Sequence, residues 1–224
     1  SPFTGTVTGF VNGDTLASAT TGTLAFNSPA TATSTVGQYQ INGSGLSANF
    51  GPYIFQQAAS NATALTVNRR AVTVTADDKS RTYGDANPAL TYTTSSLGAG
   101  VAITGALNVN AGATTGVGDY AIGQGTVTNA TNANYDITYV GGELTINPAT
   151  LVFTTNAATR TYGASNPALS GQVSGFKNNE SAAAFGGSIW STSAVATTGV
   201  GNYAIAGAFA NVSPNYTITQ AAGN

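Results

Sequence analysis

The amino-acid sequence predicts an all-β protein made of tandem small β domains of about 80 residues, each a sandwich or a β-grasp-like sheet, that together form a rod. Short segments such as AVTVTA (residues 71–76) alternate apolar residues with Thr at the period of a half-buried strand. Gly, Asn and Asp residues separate these segments, and helical periodicity is scarce. Several segments also recur in the same order at a nearly fixed spacing, which is typical of a repeat architecture.

The internal repeats set the length of the unit. RTYGDANPAL (residues 81–90) returns as RTYGASNPAL (160–169), with eight of ten letters unchanged and an offset of 79. ATTGVGDYAI (113–122) returns as ATTGVGNYAI (196–205), with nine of ten letters identical and an offset of 83. Further pairs occur in the same order: VGQYQI with VGDYAI, NYDI with NYTI, ALTVN with ELTIN, and TGFVNGDT with SGFKNNES.

Three domains follow from this spacing. Residues 1–69 are predicted to form a repeat that lacks its first strand, residues 70–148 a complete repeat, and residues 149–224 a repeat that lacks its last strand. We refer to them as repeats 1, 2 and 3. Only Asn68-Arg69-Arg70 and Asn147-Pro148-Ala149 separate the strands at the two junctions, and proline stiffens the second. Such short joints predict limited bending, with each repeat touching only its neighbours.

The elements of repeat 2 follow in order from the same alternation. After AVTVTA, the predicted strands are ALTYTT, VAITGALNV, YAIGQGTV, YDITYV and ELTI. Val140-Gly141-Gly142-Glu143 lies between two of these strands and is typical of a tight hairpin in which Gly-Gly supplies positive φ. In repeat 3, Ser181 to Phe185 are predicted to form one short turn of helix behind Glu180.

The composition limits the partners. Charged residues make up 6% of the chain, against roughly 25% in an ordinary soluble domain. Hydrophobic residues make up 42%, which is enough to bury a core. Six Lys and Arg cannot easily form the basic patch that nucleic acid requires, so no nucleic-acid partner is expected. No apolar run approaches the roughly 18 residues of a membrane helix, so no membrane insertion is expected.

The longest repeated segments resemble a known family. TADDKSRTYGDANPALTYT, then GVGDYAI, then NYDITYVGGELTIN, are similar to the MBG (mostly beta, glycine-rich) repeats of bacterial surface proteins. GFVNGDT and, more loosely, GFKNNES resemble a further segment of that family, which repeat 2 lacks. The resemblance covers all three repeats. It implies tandem copies that act as a stalk or spacer in large secreted adhesins of filamentous-haemagglutinin type, and it implies no catalytic residues.

Two features of the RTYG region invite a chemical interpretation. Tyr83 is a candidate general acid, but we expect its ring to pack on the core while Gly84 and Asn87-Pro88 set a turn. Asp77, Asp78 and Asp85 lie close in sequence, and calcium needs several oxygen ligands. At offset 79 these aspartates become Asn156, Ala157 and Ala164. A calcium joint used in every repeat is therefore not expected, and an isolated site in repeat 2 stays open.

Other polar and aromatic residues have structural interpretations. Asp14 and Glu180 are equivalent, each is followed by Thr or Ser, and both are predicted to cap short helical turns. Trp190, the only tryptophan, is predicted to pack in the core or across strands, with stacking on a sugar as the alternative. Lys79 and Lys177 lie near carboxylates, as in stalks stapled by Lys–Asn isopeptide bonds, but at non-equivalent places in the repeat.

The chain has no Cys, Met or His, which removes the usual catalytic triads and the commonest metal ligands. We therefore expect no enzyme, no catalytic or cofactor-binding residues, no metal and no cofactor. The expected function is a stalk or spacer of a large bacterial surface adhesin; the alternative is a glycan-, matrix- or self-binding module of the same adhesin. Expected partners are the neighbouring repeats, with extracellular polysaccharide, a host surface and self-association also open. The expected location is extracellular, at the bacterial cell surface, for a mature or excised segment.

Overall fold

A computed structural model describes residues 2–49 and 53–221 of the chain. Ser1 and Asn224, which bound the first and third predicted domains, lie outside the described residues. The elements of repeat 1 are α1 (Leu16–Ala19), β1 (Thr20–Asn27), β2 (Gly37–Tyr39), β3 (Asn42–Ala48), a 3₁₀ turn (Ala59–Thr63) and β4 (Leu65–Val67). The elements of repeat 2 are β5 (Arg70–Ala76), β6 (Lys79–Thr82), β7 (Tyr92–Thr94), β8 (Asn108–Val109), β9 (Gly118–Gly123), β10 (Tyr135–Val140) and β11 (Gly142–Asn147). The elements of repeat 3 are β12 (Ala149–Thr155), β13 (Gly171–Ser174), a 3₁₀ turn (Ala182–Phe185), β14 (Ser188–Thr192), β15 (Ile205–Phe209) and β16 (Tyr216–Gln220).

The strands form small sheets, as the all-β prediction requires. Their orders are β1-β3, β2-β4, β10-β5-β7, β6-β11-β9-β8, β13-β12-β16 and β14-β15. Most pairs are antiparallel, but β11 runs parallel to β6 and β12 runs parallel to β16. Within the part of the chain that the structure describes, no helix is long and apolar enough to cross a membrane. The prediction of an all-β fold in tandem repeats is confirmed.

The predicted strands of repeat 2 are found with one main exception. Five of them correspond to β5, β7, β9, β10 and β11, although β7 is shorter than its pattern. VAITGALNV was predicted as one strand, but only Asn108–Val109 is extended in a ladder. Gly105 explains the difference, because its φ of +121° leaves the strand region and a Cβ there would lie 2.7 Å from the carbonyl oxygen of Thr126.

The predicted hairpin at Val140-Gly141-Gly142-Glu143 is wrong. β10 belongs to the sheet β10-β5-β7, whereas β11 lies between β6 and β9 in another sheet. Neither Gly141 nor Gly142 has positive φ. The chain leaves one sheet and enters another at this point, and the Glu143 N–H donates to Oδ1 of Asp78 at 2.8 Å. The short helical turn predicted at Ser181 to Phe185 is confirmed as a 3₁₀ turn.

The described chain divides into two compact units that do not follow the repeats. Of the described residues, the first contains 2–49, 53–74, 94–105 and 126–138, and the second contains 75–93, 106–125 and 139–221. In repeat 1, only Ala19 and Thr20 are buried among the described residues. The domain boundaries stay predictions.

The second unit has one continuous hydrophobic core. β11 ends at Asn147 and β12 begins at Ala149, so only Pro148 separates them. The largest side chains of these two strands are completely or almost completely buried: Leu144, Ile146, Leu151 and Phe153. Full burial of such side chains stabilises a fold by about 1.5–3 kcal/mol each. The core therefore extends from repeat 2 into repeat 3.

Repeat 3 differs from repeat 2 where β6 and β9 would lie. The equivalents of these strands at offsets 79 and 83 are residues 158–161 and 201–206. Residues 158–161 and 201–204 are not in a strand, and β15 begins at residue 205. In repeat 2 both strands pair with β11. Among the described residues of repeat 3, no strand corresponds to β11, so the two segments have no ladder to join.

Trp190 packs over two glycines and a phenylalanine. Its ring meets Phe153 edge-on at a centroid distance of 5.5 Å. It lies opposite Gly207 in the antiparallel pairing of β14 with β15. A Cβ on Gly207 would lie 2.0 Å from Cδ1 of Phe153, and a Cβ on Gly171 would lie 2.3 Å from Cη2 of Trp190. The aromatic rings fill the space that these glycines leave, so the predicted packing role of Trp190 is confirmed.

Gly207→Ala should lower the free energy of unfolding by about 1–3 kcal/mol, because the new methyl group overpacks the Phe153–Trp190 contact. Gly199→Ala is the matched control, since nothing lies within 4 Å of its Cβ position. The control should be neutral or stabilising by up to about 1 kcal/mol. Urea unfolding monitored by Trp190 fluorescence measures both. Equal stabilities for the two variants would contradict this account of the core.

Candidate functional site at the contact between repeats 2 and 3

The repeated Arg-Thr-Tyr-Gly segment begins with a buried arginine. Arg81 is 7% exposed. Its Nε donates to Oδ1 of Asn87 at 2.7 Å, and its Nη2 donates to the carbonyl oxygen of Gly112 at 2.5 Å. The amide of Asn87 donates in turn to the carbonyl oxygen of Ala111 at 2.6 Å. The arginine and the asparagine of the motif therefore hold the loop that leads into β9.

The same bonds recur in repeat 3. Nη2 of Arg160 donates to the carbonyl oxygen of Val195, and the amide of Asn166 donates to the carbonyl oxygen of Ala194 at 2.7 Å. Val195 and Ala194 are equivalent, at offset 83, to the acceptors Gly112 and Ala111 in repeat 2. The sequence pattern showed that the arginine persists, but its role as a loop clamp was missed. The available signal was that the arginine and the asparagine are both present in each copy of the motif.

Tyr83 connects repeat 2 to repeat 3. It is 4% exposed, and its hydroxyl donates to Oε1 of Glu180 at 2.7 Å. Its ring meets the ring of Tyr216 edge-on at 5.5 Å. The prediction that Tyr83 packs on the core is confirmed. The core that it joins includes residues of the next repeat.

The turn after Tyr83 carries an ion pair. Gly84 has a φ of +84°, and a Cβ there would lie 2.4 Å from Cβ of Lys177. Only glycine fits both the conformation and the close approach. Lys177 extends past Gly84, and its Nζ lies 2.8 Å from Oδ1 of Asp85. Because both side chains are partly exposed, this pair contributes little more than about 0–1 kcal/mol to stability.

A backbone contact completes the junction. The Val117 N–H donates to Oδ1 of Asn215 at 2.9 Å. In the first unit, the Val36 N–H donates to Oδ1 of Asn134 at 3.0 Å. These two bonds are equivalent at offset 81, so each asparagine before a tyrosine holds the preceding repeat in the same way. We define the joint as Tyr83, Asp85 and Val117 of repeat 2 with Lys177, Glu180, Asn215 and Tyr216 of repeat 3.

The two acidic residues predicted to cap helical turns do not do so. Thr15 is the N-cap of α1 and forms a capping box with Ser18. Asp14 instead accepts a hydrogen bond from the Tyr53 hydroxyl at 2.8 Å. Glu180 accepts one from Tyr83, and the turn after it has no side-chain cap. Both carboxylates therefore bind tyrosine hydroxyls, because the following Thr or Ser occupies the N-cap position.

The loop around each acid is anchored by a tyrosine of its own repeat. The Val11 N–H donates to the Tyr53 hydroxyl at 3.1 Å, and the Lys177 N–H donates to the Tyr216 hydroxyl at 2.9 Å. Val11 and Lys177 are equivalent at offset 166. Each loop also packs a phenylalanine edge-on against that tyrosine. The GFVNGDT and GFKNNES segments are thus the same structural device.

The aspartates considered for calcium have separate protein partners. Asp77 accepts from the Thr91 hydroxyl and pairs with Lys79 at 3.7 Å. Asp78 accepts from the Glu143 N–H, and Asp85 pairs with Lys177. No group of three or more His, Cys, Asp or Glu residues is placed to hold a metal ion within residues 2–49 and 53–221.

The chain matches the family profile of the MBG domain (YGX type) over residues 1–63, 72–145 and 151–224. The chain belongs to the MBG domain family. Its two YGX tripeptides are Tyr83-Gly84-Asp85 and Tyr162-Gly163-Ala164, and the first lies in the joint. Repeats of this family are associated with extracellular, adhesin-like proteins. None of the curated proteins and none of the solved structures compared with this MBG chain matches it.

Arg81→Lys should lower the free energy of unfolding by about 1–3 kcal/mol, because an ammonium cannot reach Asn87 and Gly112 together. The exposed Arg69 offers a control, and Arg69→Lys should change stability by less than about 0.5 kcal/mol. Thermal or urea unfolding of the 224-residue chain gives both values. A fully stable Arg81→Lys variant would rule out the clamp.

The joint should weaken at high pH. Burial raises the pKa of Tyr216 to about 12, and the hydrogen bond to Glu180, helped by burial, raises the pKa of Tyr83 above 10. The unfolded chain releases these protons near pH 10. The stabilisation is therefore complete below pH 10 and is lost as the pH rises towards 12.

Tyr216→Phe should reduce this pH dependence and should also lower stability at pH 8 by about 1 kcal/mol, because the Lys177 N–H loses its acceptor. Urea unfolding between pH 8 and about pH 11.5 tests both effects. A pH dependence that is the same in the variant and the wild type would exclude Tyr216 as its source.

Proposed function

We propose that the chain is a structural stalk or spacer segment of a large bacterial surface adhesin, which presents a distal binding region, and that it is not an enzyme. One observation supports this most strongly: the core of the second unit runs without interruption through Pro148 from repeat 2 into repeat 3. A spacer must transmit load between its repeats. A shared core does so better than a flexible Gly/Ser linker.

The use of the polar side chains supports the same function. Arg81, Tyr83 and Glu180 would draw attention as chemical groups, but each is engaged in a hydrogen bond that fixes a loop or a neighbouring repeat. With so few charged residues, solubility depends on neutral Thr, Ser and Asn side chains. Such a surface attracts neither nucleic acid nor charged ligands.

The principal partners in this proposal are the neighbouring repeats of the same chain, at an extracellular location on the bacterial surface. Binding of extracellular polysaccharide or of a host surface is assigned to the distal region. Trp190 is the residue that most favoured the alternative, and its ring lies against Phe153 and two glycines. That packing gives it a structural role without a ligand.

Glycan arrays and immobilised matrix proteins test the proposal with the intact 224-residue chain. We expect no saturable binding at concentrations up to about 100 μM, which corresponds to binding weaker than roughly −5.5 kcal/mol. Tyr92→Ala, at a partly exposed site in β7 of repeat 2, serves as a control variant. Saturable binding that Trp190→Ala abolishes, in a variant whose circular dichroism matches the wild type, would replace the spacer function with a glycan- or matrix-binding module.

A further inference from the structure

Repeat 3 exposes two side chains whose equivalents in the joint are buried or half-buried. Tyr162 is the equivalent of Tyr83, and it is 63% exposed instead of 4%. Val200 is the equivalent of Val117, and it is 97% exposed. Val195, between these two segments, is also exposed. We name these three exposed apolar residues the Tyr162 face (Tyr162, Val195 and Val200).

The Tyr162 face keeps part of the hydrogen bonding of its covered counterpart, although its segments lack the ladder that β6 and β9 form with β11. Arg160 and Asn166 clamp the carbonyl oxygens of residues 194–196, as Arg81 and Asn87 clamp those of 111–112. The hydroxyl of Tyr203 donates to the carbonyl oxygen of Gly199 at 3.0 Å, just as Tyr120 does to Gly116. These recurring bonds order the surface in part, which lowers the conformational entropy lost when it is covered.

Part of the complementary surface recurs in repeat 1. There the Val11 N–H donates to the Tyr53 hydroxyl at 3.1 Å, as the Lys177 N–H donates to the Tyr216 hydroxyl in repeat 3. The acids differ in their partners, because Asp14 accepts from Tyr53 of its own repeat and Glu180 accepts from Tyr83 of the preceding one. Asp14 and Val11 are exposed. An acid on a tyrosine-anchored loop is therefore a feature that repeats 1 and 3 share.

We propose that the Tyr162 face docks a further MBG repeat of the YGX type, whose loop acid accepts the hydroxyl of Tyr162 and whose Asn-Tyr step meets Val200. The occupant is defined by continuity with the joint, where Glu180 and Asn215 make these two contacts. Ala164 stands where Asp85 pairs with Lys177, so the docked repeat needs no lysine at that position. The joint would form whether the chain is a spacer or a binding module, so failure of the stalk function would leave this proposal standing.

An extended chain provides the test. NYTI at 215–218 aligns with NYDI at 134–137 at offset 81, so residue 224 aligns with residue 143. A second copy of residues 144–224 joined to the C-terminus therefore supplies both a strand equivalent to β11 and a docked repeat. The appended copy carries Tyr162→Phe, which leaves the original Tyr162 as the reporter. The control chain is extended by residues 144–148 alone and gains the strand without the repeat.

Oxidative footprinting with mass spectrometry measures the accessibility of Tyr162. We expect Tyr162 to be protected at least fivefold in the chain with the appended repeat. In the control extended by 144–148, Tyr162 should react as fast as it does in the 224-residue chain. Fluorescence from the two Trp190 copies should show the unchanged emission maximum of a folded third repeat. Tyr162→Ala should lower the urea midpoint only in the chain with the appended repeat. The decrease should be similar to the decrease that Tyr83→Ala causes.

Three results would overturn the proposal. Tyr162 could remain fully reactive beside a folded appended repeat. The appended repeat could fail to fold there, although repeat 3 folds against repeat 2 through the same contacts. Protection could instead appear in the 224-residue chain and grow with its concentration, which would assign the Tyr162 face to a second copy of the chain.

Discussion

The buried side chains of two consecutive strands determine the second unit. β11 and β12 read L-T-I-N-P-A-T-L-V-F, and their alternate residues Leu144, Ile146, Leu151 and Phe153 are at most 1% exposed. A proline between the strands removes one backbone donor and fixes φ, so the chain passes from one sheet to the next without a flexible linker. The hydrophobic free energy is proportional to the apolar area removed from water, and here one cluster of buried side chains has members from both repeats. The stability of either repeat in this unit therefore depends on the other.

Only 6% of the residues are charged, and a charged side chain that is buried needs hydrogen-bond partners. Arg81 is buried without a carboxylate partner among its hydrogen bonds, and carbonyl oxygens and an amide oxygen surround its guanidinium instead. These neutral oxygens accept hydrogen bonds from the planar guanidinium. Because the donor is charged, the bonds are strong, and they fix a loop that lies outside the helices and strands. At the joint, Glu180 likewise has a neutral partner, because it accepts a hydrogen bond from the hydroxyl of Tyr83. In both places a charged group is used as a strong hydrogen-bonding group in a protein whose surface is otherwise neutral.

The errors of the sequence predictions have a common cause. Gly141-Gly142 was interpreted as a hairpin because two alternating segments flank it, but β10 and β11 join different sheets. Asp14 and Glu180 were interpreted as caps because Thr or Ser follows them. Their hydrogen-bond partners are instead distant tyrosines: Tyr53 is 39 residues from Asp14, and Tyr83 is 97 residues from Glu180. Local patterns report propensity and alternation, whereas sheet membership and long-range partners depend on which strands meet. The sequence shows that the pair Val36 and Asn134 recurs 81 residues later as Val117 and Asn215. Only the structure shows that the valine and the asparagine of each pair are hydrogen-bonded.

The sequence by itself determined the all-β class, the repeat of about 80 residues, the positions of most strands and the family, because alternation and internal identity are local and periodic properties. It also determined that Tyr83 packs and that Gly84 turns the chain. Only the tertiary structure decided what Tyr83 packs against. Tyr83 and Tyr162 stand in segments that agree in eight of ten letters, yet one is buried and the other is 63% exposed. The difference lies in the neighbour and not in the segment, since burial is a property of the surface that covers a side chain.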